Sequence, residues 1–137
     1  MRKVFAVFII LILSTSVCYS QDKKLHPIDQ WFSSCTSKDN STAGMRGCLA
    51  KAYDLWDKEL NKNYGDLMKA LPQDGKAILK SAQQQWVRYK DAEFKLIDKT
   101  EGRKSGTMWL VIADDHRVNI IKQRAIELSG YLDAIEE

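Results

Sequence analysis

Histidine is nearly absent from this chain, with two residues in 137, and cysteine is scarce, with three. His26 and His116 are far apart, and no His or Cys pair has ligand spacing on one helix face, so no metal site is expected. Asp114 and Asp115 precede His116, but they read as a solvated acidic helix edge. Nucleophilic catalysis lacks a candidate, because no glycine elbow holds a serine and the thiols have another use, described below. Carboxylates are plentiful, yet none sits in an apolar context that would raise its pKa, which leaves a glycosidase without its acid. The stretch Gly102-Arg103-Lys104-Ser105-Gly106-Thr107 lacks the lysine after its last glycine and follows a helical pattern, so it is no phosphate loop. No strand pattern and no internal repeat is present. Neither an enzyme nor a cofactor is expected.

Long apolar runs are also missing, with one exception. Val4 to Leu13 is almost unbroken, follows Arg2 and Lys3, and precedes the smaller, more polar Ser14 to Ser20. That is a secretory signal peptide over residues 1–20, with Cys18 and Ser20 as the small residues before the cut. The run is short for a bilayer span of about 20 residues, which disfavours a retained anchor. Val17 is a poor residue before a lipid-modified Cys18, which disfavours a lipoprotein. The expected mature chain is one domain, residues 21–137, periplasmic or secreted, with no integral membrane span. Without Arg2 and Lys3, the 21 basic residues fall to 19 against 18 acidic ones, a net +1. This near-neutrality argues against a nucleic-acid partner. Cys35 and Cys48 remain, and an even pair in an exported chain reads as a disulfide, with two buried free thiols as the alternative.

The residues that are present spell helices. Leu49, Tyr53, Trp56, Leu60, Tyr64, Leu67 and Leu71 recur at steps of three and four, with charged residues between them. This predicts a helix from about Ala43 to Leu71, with an N-cap at Ser41 or Thr42. Pro72-Gln73-Asp74-Gly75 is a tight connection to a second helix, about Gln73 to Lys99, marked by Leu79, Ala82, Trp86, Tyr89 and Leu96. Val87, Phe94 and Ile97 widen its apolar face. After the break at 101–107, a third helix runs from about Thr107 to Ala134 through Leu110, Val118, Ile121, Ala125, Leu128, Leu132 and Ile135. Ile28, Trp31 and Phe32 predict a short helical turn packed on these helices. Thr36 to Thr42, seven small polar residues, predict a surface loop closed by the disulfide; Asn40-Ser41-Thr42 also matches a glycosylation sequon. The expected fold is all-α, an up-down-up three-helix bundle with a short N-terminal helical segment tied by one disulfide. Trp and Tyr at core spacing favour mutual burial of the stripes over membrane binding. Asn61, Gln83 and Arg124 lie beside the stripes. A ligand-contacting cluster is one reading; interhelical hydrogen bonds that fix register are the favoured one.

The ordered series Cys35, Met45, Cys48, Asp57-Lys58-Glu59-Leu60-Asn61, Tyr64 and Leu67, then Ala82-Gln83, Trp86 and Tyr89-Lys90-Asp91-Ala92-Glu93, then Gly106-Thr107-Met108 and Gln123-Arg124 with Leu128, resembles the lysozyme inhibitor LprI-type N-terminal domain family. The resemblance implies a small exported bacterial helical protein whose named activity is inhibition of lysozyme by binding. A lysozyme-type hydrolase is the protein partner it implies; a cell-envelope interaction module is the alternative. An inhibitor must reach into a concave cleft, and two protrusions are on offer, the closed loop Thr36 to Thr42 and the turn Lys99 to Thr107, basic through Lys99, Arg103 and Lys104. Pre-organisation by the disulfide favours the loop, with Asp39, Asn40 and Ser41 as the candidate contact residues. Such domains often carry a second cysteine pair, and Phe94 and His116 stand at those positions here. An aromatic contact in its place would join the second and third helices less rigidly.

Overall fold

The computed structural model describes residues 25–136; the signal-peptide segment, Cys18 and Gln21 lie outside the described residues. Four α-helices follow one another: α1 Pro27–Lys38, α2 Thr42–Ala70, α3 Gln73–Thr100 and α4 Thr107–Glu136, with a 3₁₀ turn at Glu101–Arg103. No strand occurs among the described residues. Pro27 opens α1, where its missing N–H costs nothing, and the His26 ring nitrogen Nδ1 accepts the N–H of Ile28 at 3.2 Å. Ser41 caps α2, its Oγ accepting the N–H of Gly44 at 3.0 Å. Gly106 takes a φ of +104° ahead of α4, a conformation that favours glycine.

Two expectations about the N-terminal region are corrected. Thr36, Ser37 and Lys38 are helical, so the predicted seven-residue loop shrinks to Asp39, Asn40 and the capping Ser41. The hydroxyls of Thr36 and Ser37 bond back to the carbonyls of Phe32 (3.1 Å) and Ser33 (2.6 Å), so small polar residues complete a helix instead of leaving it. Trp31, expected on the bundle, is exposed, while Ile28 and Phe32 pack against the core. The four-residue step from 28 to 32 sets the buried face of α1, and residue 31 falls beside it.

The core lies between α2 and α4. Leu49, Ala52, Trp56, Leu60 and Leu67 meet Val111, Val118, Ile121, Ala125 and Leu128, and Leu79 of α3 joins them. Thr42 meets Thr107, Arg46 meets Asp114 and Asn63 meets Ala125; partner numbers rise together, so α2 and α4 run in the same direction. Gln83 meets Arg124 and Asp98 meets Arg117; here one number falls as the other rises, so α3 runs against α4. The predicted stripe of α3 divides. Leu79 and Ile97 are buried and Trp86 and Phe94 half-buried, whereas Ala82, Val87, Tyr89 and Leu96 are exposed. One helix cannot turn so wide a face to a single neighbour.

Candidate functional site

The corner between α1 and α2 is built by the disulfide. Cys35 and Cys48 are bonded, with Cα atoms 5.9 Å apart across a separation of 13 residues. A closed loop of this size contributes about 3 kcal/mol by limiting the unfolded chain. Asp39, Asn40 and Ser41 stand exposed at this corner. The Asp39 carboxylate accepts the Ser41 N–H at 3.0 Å. Hydrogen bonds from the Ser41 side chain and backbone hold its carboxyl below the usual carboxylate range. It lies directly on Gly44, where an added Cβ would come within 2.2 Å of the carboxyl carbon. A glycine in the first turn of α2 thus lets the carboxylate rest on the helix N-terminus, where negative charge is favoured. A hollow of about 370 Å³ adjoins it, lined by residues that include Trp31, Lys38, Asp39 and Gly44. Sequence reasoning missed Trp31 as a surface residue; its offset from the 28/32 pair was the available signal.

The three polar residues beside the stripes separate. Arg124, only 7% exposed, donates from Nε to Gln83 Oε1 at 3.0 Å and from Nη1 to Glu127 Oε2 at 2.6 Å, so Gln83 and Arg124 join α3 to α4. The same Glu127 accepts the Tyr131 hydroxyl at 3.1 Å. Asn61 does not reach another helix. It is exposed, and its amide donates to the Asp57 carbonyl (2.8 Å) and carboxylate (3.0 Å) one turn earlier. The residue with the interhelical bond is Asn63, 4% exposed, whose Nδ2 donates to the Ala125 carbonyl at 3.0 Å. The signal was present: Asn63 is three after Leu60 and four before Leu67, on the stripe itself. An open groove of about 520 Å³ runs beside the Arg124 cluster, between Trp86 and Tyr89 of α3 and Ile120 and Gln123 of α4.

Several other charges have partners. Asp114 accepts from Arg46 at 2.7 Å and from Arg117 at 3.0 Å, and Arg117 also pairs with Asp98. Asp115 accepts from Asn119 one turn later at 3.0 Å. These acidic residues are engaged in ion pairs and helix-surface bonds, and no group of three metal-ligating side chains occurs among the described residues. Phe94 approaches Tyr53, with ring centroids 6.3 Å apart, while the His116 ring meets Glu101 at 2.9 Å. The two positions of the absent cysteine pair therefore engage different neighbours. Lys122 crosses to α1, bonding both Asp29 carboxylate oxygens at 2.7 and 2.8 Å while lying 5.4 Å from the Trp56 ring centroid. His26 stacks on the same Trp56 at 4.4 Å. No local pattern announces a bond that spans 93 residues. In the basic turn, Lys104 lies over the Trp109 ring at 3.6 Å. No helix among the described residues is long and apolar enough to cross a membrane.

The chain is similar in structure to an uncharacterized protein from Burkholderia thailandensis, known from a crystal structure, with a TM-score of 0.77 and 27% identity. The match covers 82% of this chain and 56% of that one, so this chain spans little more than half of that protein's length. No curated protein matches it. The family model described as "Lysozyme inhibitor LprI" matches residues 33–128, from the middle of α1 into the last third of α4. The residues matched include the disulfide, the exposed corner and the Gln83–Arg124 pair, and the chain belongs to the lysozyme inhibitor LprI family.

Proposed function

We propose that the protein is an exported, non-catalytic binder that blocks a lysozyme-type cell-wall hydrolase, presenting Asp39, Asn40 and Ser41 to it. The observation that carries this reading is the inhibitor-family match over residues 33–128. The corner suits the task in two ways. It is held by a disulfide, so little freedom is lost on binding. Its carboxylate is hydrogen-bonded in the ionised form, which favours contact with a basic enzyme surface. The net charge of +1 expected for residues 21–137 gives no long-range steering, so affinity rests on local contacts. Export rests on the signal-peptide pattern in residues 1–20, with the mature chain starting at Gln21 as a single domain. The architecture we assign to that domain is an up-down-up bundle of α2, α3 and α4, supported by the order of partners along them.

The test is a cell-wall lysis assay with residues 21–137 in molar excess over lysozyme, at low and moderate salt. Inhibition that is lost on replacing Asp39 by glycine and Asn40 by alanine supports the reading and its face. Inhibition that survives those changes keeps the function and discards the face; no inhibition at either salt discards that enzyme as the partner. A second reading, an envelope interaction module, is favoured by one fact: the similar Burkholderia protein is longer, so a helical unit like this one also forms part of a larger chain.

A further inference from the structure

The outward row of α3 has no partner within the protomer. Ile78, Ala82, Gln85, Tyr89, Ala92 and Leu96 follow at alternating steps of four and three, the spacing of a coiled-coil seam. All six are exposed, Ile78 by 69%, Leu96 by 55% and Tyr89 by 54%. This is a second face and not the margin of the first. The bundle-facing row, with Leu79, Trp86 and Ile97, lies one residue later along the helix, so two seams run side by side on α3. Three charges flank the outward row. Arg88 and Lys95 precede Tyr89 and Leu96 on one side, and Glu93 follows Ala92 on the other. None of the three joins an ion pair among the described residues.

We propose that this row is the interface with a second copy of the chain, the two α3 helices packing side by side, parallel and in register. In that arrangement Arg88 faces Glu93 of the second copy, and two-fold symmetry makes the pair twice. An antiparallel arrangement centred on the row sets Arg88 against Arg88 of the second copy, a repulsion that selects the parallel form. Ala82 and Ala92 permit close approach. Gln85 meets its own copy at the seam, and a polar residue there fixes register at some cost in stability. The charge pattern of the row complements itself, which singles out a second copy over an unrelated helix. The inference stands apart from lysozyme binding, since the corner at Asp39 lies on other elements.

The experiment is sedimentation equilibrium of residues 21–137 from low micromolar to several hundred micromolar. A reversible dimer is expected. Tyr89→Glu should leave a monomer with unchanged helix content, because the side chain is exposed in the protomer. Arg88→Glu and Glu93→Arg should each weaken dimerisation by about tenfold, and their combination should restore it. Gln85→Cys should oxidise to a covalent dimer, since only the parallel arrangement brings this position against itself. A wild-type monomer at every concentration overturns the proposal and returns the row to a different helix as its occupant. A dimer that survives Tyr89→Glu, or charge reversals that fail to restore one another, overturns it too.

Discussion

Asn63 offers the most exacting test of how α2 and α4 are held in register. Its side chain is buried, and its one interhelical bond donates to the Ala125 carbonyl at 3.0 Å. Three substitutions separate the possible contributions. Asn63→Ala removes the bond and leaves a small void, at a cost of about 2 kcal/mol, roughly half from each. For a domain of this length that lowers the melting temperature by about 8 °C. Asn63→Leu removes the bond but fills the space with apolar atoms, so stability stays within about 1 kcal/mol of the wild type. Asn63→Asp keeps the shape and reverses the chemistry, because an ionised oxygen then faces a carbonyl oxygen. A buried, uncompensated charge costs about 3–5 kcal/mol, the largest loss of the three. Its pH dependence has a definite sign. Burial raises the folded pKa of the introduced carboxyl, so its destabilisation is full at neutral pH. The loss shrinks as pH falls through that raised value, where the protonated acid can donate to Ala125. Urea unfolding followed by tryptophan fluorescence, at pH 7 and pH 5, measures all of this. An aspartate variant as stable at pH 7 as the alanine variant would refute the donor role of Asn63.

Three further outcomes follow. Replacing Cys35 and Cys48 together by serine should cost about 2–4 kcal/mol with helix content retained, read from urea midpoints and circular dichroism; an unchanged midpoint would contradict the tie between α1 and α2. Arg124→Ala should cost about 2–3 kcal/mol, since it removes a buried side chain and strands Gln83, whereas Asn61→Ala should stay within about 0.5 kcal/mol, and thermal melts should rank them in that order. Asp39 should titrate below the usual carboxylate range by carbon-detected NMR, and Gly44→Ala should move it upward by displacing the carboxyl; its contribution to stability is present above the unfolded pKa and lost as pH falls through the lowered folded value.

The fold was legible where one physical rule dominates. The stripe of α2 gives the helix and its buried residues together, because Leu49, Trp56, Leu60 and Leu67 all turn into one core, shared with α4 and, toward the start of α2, with α1. The breaks at Pro72 and Gly106 were legible for the same reason, as local backbone chemistry with no competitor. The stretch Thr36 to Lys38 was not, because serine and threonine support both loop and helix, and the choice turns on carbonyls one turn earlier. The polar contacts were half legible. Gln83 and Arg124 sit beside their stripes and meet, but Asn61 and Asn63 are two residues apart, and only position within the three-and-four pattern distinguishes solvent from Ala125.

α3 runs where its pattern predicts, but its apolar residues do not share one face. Leu79 and Trp86 turn into the core and Ile97 is buried, whereas Tyr89 and Leu96 belong to a row rotated by one residue. A stripe wider than one neighbour can cover has two explanations, a careless surface or a second interface. The exposed row keeps seam spacing over five turns and is bordered by opposite charges at Arg88 and Glu93. A careless surface has no reason to hold either feature, and the two together favour an interface. The same test applies to the corner at Asp39, where the evidence is of a different kind. No periodicity marks it; what marks it is a glycine that admits a carboxylate onto a helix end beside a disulfide. Those three residue types are separated in the sequence by a helix terminus and a turn, so only the folded chain brings them to one place.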